Sequence, residues 1–227
     1  SKAHRYLVSL IRSGLVEQDR LTSRYDLGPF ALNLGLVALD RVDRIRLGLS
    51  AISELRDLTN ETVALAVWSD RGPVIVRWER PRRPITVNVL TGTSLSLLSS
   101  AAGRVFAAWL PEPQTEALLR AEIESGRVSA GITTLDDARR LLADVRAQGV
   151  AVISSGYFAR GVEAAAAPVF NFKNEINMSI ALVGVEGTLD LRPQSPVLLA
   201  LKDACDALSR RLGATAIPGV EPGGHAA

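Results

Sequence analysis

Cysteine is all but missing from these 227 residues. The single Cys205 excludes an internal disulfide framework and points to a reducing, cytoplasmic setting. Histidine is nearly as scarce, with His4 near one end and His225 near the other. No CxxC, HExxH or clustered His/Asp spacing is present, and no Ser or Cys stands at a nucleophile turn near either histidine. No metal, cofactor or catalytic residue is therefore expected. No apolar run reaches the roughly eighteen residues that span a bilayer, and the first residues lack the charged-then-apolar layout of a signal peptide. Neither membrane insertion nor secretion is indicated. The net charge is only +2, so overall basicity does not by itself argue for nucleic acid.

Hydrophobic residues are plentiful, at 47%, enough for one large domain or two smaller ones. In the opening stretch SKAHRYLVSLIRSGLVEQDRLTSRYDLG, Leu7, Leu10, Ile11 and Leu15 share one face of a helix, with Lys2, Arg5 and Arg12 off it. Gly14 stands where a helix ends on a left-handed residue, so the helix is expected to stop at Ser13. Val16–Gln18 and Arg24–Leu27 can pair as short strands around the turn Asp19–Ser23, and Gly28-Pro29 closes the unit. Residues 1–25 hold five cations and two anions, which concentrates positive charge in this helix and hairpin. A recognition helix and wing need this layout; an amphipathic helix with a solvated face explains the spacing equally well.

Further along, Pro29 to about Leu58 reads as two helical pieces with Gly35 and Gly48 as possible interruptions. Thr62–Trp68 and Pro73–Arg80 read as a hairpin around Ser69–Gly72, with Ile85–Val89 as a third strand. Helices are expected over Ala101–Trp109, halted by Pro111, over Glu112–Ser125, and from Thr133 or Thr134 to Gln148, closed by Gly149. Val150–Ser154, Val162–Val169 and Ile176–Val185 read as strands, and Ser195-Pro196 starts a last helix that Gly213 ends. The pattern is α+β: a partial winged helix-turn-helix over 1–27, a connecting helix over 28–41, an antiparallel sheet domain flanked by helices over 42–214, and a disordered tail over 215–227. Such a sheet domain can enclose a small-molecule pocket.

Three stretches in order resemble the IclR family of bacterial transcriptional regulators: SKAHRYLVSLIRSGLVEQD with YDLG, SSAAGRVFAAWLP, and VRAQGVAVISSGYFARGVEAAAAPVFNFKNEINMSIALVG. The resemblance covers nearly the whole chain and implies a winged helix-turn-helix joined to a GAF-like effector domain, in a dimer or tetramer. The family's first two DNA-binding helices have no counterpart, so the sequence reads as an N-terminally truncated version. The resemblance implies DNA contacts from Ser1, Lys2, His4 and Arg5 of the helix and Arg20 and Arg24 of the wing, with Tyr6 packed. It places an effector at the N–H groups of Ala101, Ala102 and Gly103, with Arg104 expected in solvent. The matching positions opposite are Ser154, Ser155, Tyr157, Ala164, Ala181 and Val183. So few polar side chains favour an aromatic or hydrophobic carboxylate.

The implied function is a ligand-responsive repressor of catabolic or efflux genes, with an operator duplex, a small effector and its own copies as partners. The alternatives are a sensor or oligomerisation module without DNA binding and, third, an α+β enzyme. The candidate acids do not favour an enzyme: Asp136 and Asp137 sit at a helix start, where capping explains them, and Asp203 and Asp206 read as a solvated helix face. Arg80-Pro81-Arg82-Arg83-Pro84 reads as a solvated turn or, failing that, a contact with DNA or another subunit.

Overall fold

The computed structural model describes residues 2–19, 21–41, 43–82, 90–126, 128, 131–154 and 161–216. The chain divides into two compact units between Arg44 and Ile45.

The first unit holds α1 (Lys2–Arg12), the antiparallel pair β1 (Val16–Gln18) and β2 (Tyr25–Leu27), and α2 (Pro29–Arg41). Helix α1 ends in a complete Schellman motif. Gly14 adopts φ +74°, its N–H donates to Ile11 O, and the N–H of Leu15 donates to Leu10 O, each at 3.0 Å. A side chain at Gly14 would force a left-handed backbone on an L residue, so glycine is what lets the chain reverse here. Asp19 Oδ1 accepts from the N–H groups of Leu21 (2.7 Å) and Thr22 (2.9 Å), which shapes the hairpin tip. Those backbone donors hold its carboxyl below the usual carboxylate range.

The second unit is a five-stranded antiparallel sheet in the order β4-β3-β7-β6-β5 with helices on both faces. It comprises α3 (Arg44–Thr59), β3 (Thr62–Ser69), β4 (Gly72–Glu79), α4 (Ala101–Trp109), α5 (Glu112–Glu124), α6 (Leu135–Gln148), β5 (Ala151–Ile153), β6 (Val162–Phe170), β7 (Ile176–Val185) and α7 (Pro196–Arg211). One face, with Ala64, Ala66, Ala166 and Ala181, packs under α4 and, beyond it, α6. On the other, Gly48 of α3 sits against Leu65 and Met178, and α7 lies on β6 and β7. Strands this deeply buried read as apolar runs rather than alternations, as β6 and β7 do.

The expected strand Ile85–Val89 lies outside the described residues, as does the tail from 217. Thr215 and Ala216 each donate an N–H to Asn174 Oδ1, at 3.0 and 3.1 Å. No helix among the described residues is long and apolar enough to cross a membrane.

Helix α6 starts on a capping box: Thr134 Oγ1 accepts from Asp137 N (3.2 Å) while Asp137 Oδ2 accepts from the N–H of Thr134 (2.9 Å) and of Thr133 (3.0 Å). The Thr134 hydroxyl, which also donates to this carboxylate, and then the Thr133 N–H and hydroxyl and the Thr134 N–H hold the Asp137 carboxyl far below its usual 3.8. A depressed carboxyl stabilises the fold fully above its unfolded-state value and loses that contribution as pH falls below it. Asp137→Ala is therefore expected to lower Tm at pH 7. In thermal melts from pH 7 to 2, the gap to the parent chain should stay constant above about pH 4 and narrow below it.

Candidate functional site

Helix α4 is apolar apart from Arg104, and its residues from Ala101 to Ala108 are all buried. What makes its first turn a site is how the chain arrives there. The stretch before it runs back along β4, with Leu95 N donating to Pro73 O (2.8 Å) and Ile75 N to Thr93 O (3.1 Å). It then turns over Glu122 of α5. One oxygen of that carboxylate accepts from Leu97 N (2.6 Å), the other from Leu98 N (2.9 Å) and Ser96 Oγ (2.7 Å). Ser100 caps the helix: its Oγ accepts from Gly103 N (2.9 Å) and donates to Ser96 O (2.7 Å). Gly103 has to be glycine because a Cβ there would fall 1.9 Å from Ser96 O.

Ala101 and Ala102 follow the cap, and their N–H groups have no acceptor among the described residues, as the first turn of any helix dictates. Both line a cavity of about 80 Å³ between α4 and the sheet. Its floor comes from a cross-strand rung in which Ala64 faces Ala181 and a neighbouring one in which Ala164 faces Val183. Ile75, Trp78, Leu95, Ile153 and Val162 complete the apolar wall, with Ser99 and Ser100 at the helix end. Alanine where strands of a packed sheet usually carry Val, Ile or Leu leaves this space open.

Of the sequence-predicted effector residues, Ala101, Ala102, Ala164, Ala181 and Val183 converge on this cavity. Gly103 is not part of its wall, and its N–H is taken by Ser100. Ser154 is exposed, and Ser155 and Tyr157 lie outside the described residues. Arg104, expected in solvent, is buried. Its Nε donates to Leu98 O (2.8 Å) and Nη1 to Val152 O (3.3 Å), joining the entry turn to β5, and desolvation lowers its pKa. A helix buried on every face leaves no solvated side for an arginine, so its fork ends on carbonyls instead. Trp78, Ile75 and Leu95 escaped sequence reasoning, since only strand register and the return along β4 bring them to the wall. Glu122 escaped it too, being 24 to 26 residues from its partners.

In the first unit, His4, Arg5, Arg12 and Arg24 are exposed on α1 and the hairpin. Lys2 opens α1, while Ser1 and Arg20 lie outside the described residues. Tyr6, expected to pack, is 70% exposed. Among the described residues no group of three His, Cys, Asp or Glu side chains could hold a metal ion.

The chain thus carries a helix-and-hairpin unit followed by a sheet domain with a cavity under α4. Residues 37–210 match the C-terminal domain of bacterial IclR transcriptional regulators, and the chain belongs to the IclR family. The glycerol operon regulatory protein of Streptomyces coelicolor is 30% identical over 226 residues, covering 93% of this chain and 83% of that protein. The regulator KipR of Bacillus subtilis is 24% identical, covering 95% and 85%. Among solved structures, Pseudomonas aeruginosa HmgR superposes with a TM-score of 0.84 at 38% identity, over 94% of this chain and 85% of that one. Thermotoga maritima IclR shares the fold with a TM-score of 0.67 at 22% identity. Both of these curated relatives are named as regulatory proteins.

The Glu122 clasp makes a direct prediction. Glu122→Gln puts an amide donor against a backbone donor and should cost about 2–3 kcal/mol in urea unfolding, with Ser96→Ala costing about 1 kcal/mol. Hydrogen exchange should show the amides of Leu97 and Leu98 losing protection first.

Proposed function

We propose that the protein is a DNA-binding repressor released or retuned by a small carboxylate with an aromatic or other apolar body, and that it controls catabolic or efflux genes. The observation that carries this reading is the meeting, in one cavity, of the N–H groups of Ala101 and Ala102, which have no acceptor among the described residues, with walls of Ala, Val, Ile, Leu and Trp. A helix N-terminus offers donors and a positive dipole end, which favour an anion, and the walls favour an apolar body. Two relatives are named for a glycerol operon. A polyol needs a partner for each hydroxyl, and Ser99 and Ser100 are the only side-chain hydroxyls among the described residues lining this cavity, so that ligand class is not carried over.

The exposed cations Arg5 and Arg24, with His4, Lys2, Ser1 and Arg20, are assigned to the duplex: the helix to the major groove and the hairpin to the backbone. Helix α2 exposes Phe30, Leu32, Leu34, Leu36 and Val37, more apolar surface than a solvated helix carries, which supports pairing with a second copy there. A dimer would present two recognition helices to a palindromic site.

Two measurements check this reading. Titration with benzoate and phenylacetate is expected to raise Tm, and Ala181→Leu, which fills the cavity, is expected to abolish the rise while the protein still melts cooperatively. Flat melting curves across the acids in the parent chain would sink the ligand assignment. In mobility shifts on DNA from upstream of its own gene, Arg5→Ala should weaken binding and reduce the slope of log affinity against log salt by about one. An unchanged slope removes Arg5 from the interface, and no shift at low salt leaves a sensor that does not bind DNA.

A further inference from the structure

On the outer side of the sheet domain, α3 and α7 leave an open groove of about 440 Å³ between them. Its lining is apolar where a solvated helix pair would be polar. Leu58 of α3 is 74% exposed and Leu199 of α7 42% exposed, and Ala207 between them in the groove is exposed as well. Apolar surface rimmed by charge marks a place of contact.

The rim carries the second observation. Glu54 of α3 and Asp203 and Arg211 of α7 border the groove. Several surface arginines of this domain are matched within the chain, Arg139 by Glu112 and Asp136, Arg140 by Asp137 and Arg192 by Asp190. Asp203 and Arg211 are exposed and form no ion pair among the described residues. They stand four residues before and four residues after Ala207. About 12 Å of helix axis therefore separates them, too far for the two to pair with each other. On a second α7 running the opposite way and crossing at Ala207, position 203 of each helix comes level with position 211 of the other. Both charges are then matched at once.

We infer that the groove between α3 and α7 is an interface between two copies of this chain, related by a two-fold axis at Ala207, with Asp203 of each copy paired with Arg211 of the partner subunit. A helix from a different protein would need its own base and acid at the same eight-residue spacing, reversed; a second copy supplies them by symmetry, and every pairing is made twice. Alanine at the crossing lets the two backbones approach closely, and Leu58 and Leu199 add apolar area. The groove has twelve lining residues, against about 20–30 a side in a standard interface, so this contact is weak alone and depends on concentration. It uses none of α2 and stands or falls apart from the pairing proposed there.

Sedimentation equilibrium of the full chain over roughly 1 to 200 μM tests it. The parent chain is expected to double in mass as concentration rises, from monomer to dimer or, where α2 already pairs, from dimer to tetramer. Ala207→Glu sets two carboxylates against each other at the axis and should abolish that step while the melting temperature stays near the parent's, the site being exposed. Asp203→Arg and Arg211→Asp should each weaken association about tenfold or more, and the double variant should restore it. Ala207→Cys should give a disulfide-linked pair on mild oxidation, since helices crossing there bring the two Cα atoms into bonding range, whereas Leu199→Cys, eight residues from the crossing, should not. Equal masses for the parent chain and Ala207→Glu across the range, or a double variant no better than either single one, overturn the interface and leave the groove to a helix of another protein.

Discussion

The carboxylate of Glu122 is the hinge of the effector unit. Between β4 and α4 the chain must turn sharply, leaving the N–H groups of Leu97 and Leu98 pointing away from any strand or helix. One side chain from α5 accepts both, together with the Ser96 hydroxyl. Charge-assisted acceptance of this kind is stronger than a neutral hydrogen bond and leaves few alternative geometries. With the turn held, Ser100 lands as N-cap, Gly103 slips under Ser96 O, and Ala101 and Ala102 arrive at the sheet with no acceptor for their N–H groups among the described residues. Arg104 locks the same turn from the other side through Leu98 O and Val152 O.

The cavity is then a matter of missing volume. The sheet face under α4 carries alanine on three adjacent strands, at 64, 181 and 166 in one rung, whereas the opposite face carries Leu65, Ile180 and Leu182 and is filled. A core of uniform density would have no space beneath α4; substituting small side chains on one face alone creates it without weakening the other. The same unit thus pairs a filled face, on which its stability rests, with an underfilled one that a ligand can complete.

The regulatory reading joins this cavity to a separate basic unit. Coupling between two such sites requires that the ligand interact differently with two states of the protein. The turn clasped by Glu122 is held by one carboxylate accepting from two backbone N–H groups and a hydroxyl rather than by a continuous ladder.

Local signals were legible in the sequence because their causes are local. Gly14 after an amphipathic stretch, Thr134 three residues before Asp137, Gly149 closing a helix and the strands expected near 62–80, 150–169 and 176–185 all follow from spacing, and each is present. The alanines of the cavity were legible only through a resemblance to a family, since nothing in an isolated alanine says which face it lines. Arg104 and Tyr6 were misread, one as solvated and the other as packed, because burial is a property of what surrounds a helix and not of its own pattern. Glu122 and Trp78 were invisible: the first acts across 24 to 26 residues, and the second meets the cavity through cross-strand register. Amino-acid order alone therefore determined most of the described elements, the caps of α1 and α6, and the family. Only the tertiary structure decided which donors are left without partners, because a group is orphaned by the absence of neighbours, and neighbours are brought or withheld by the fold.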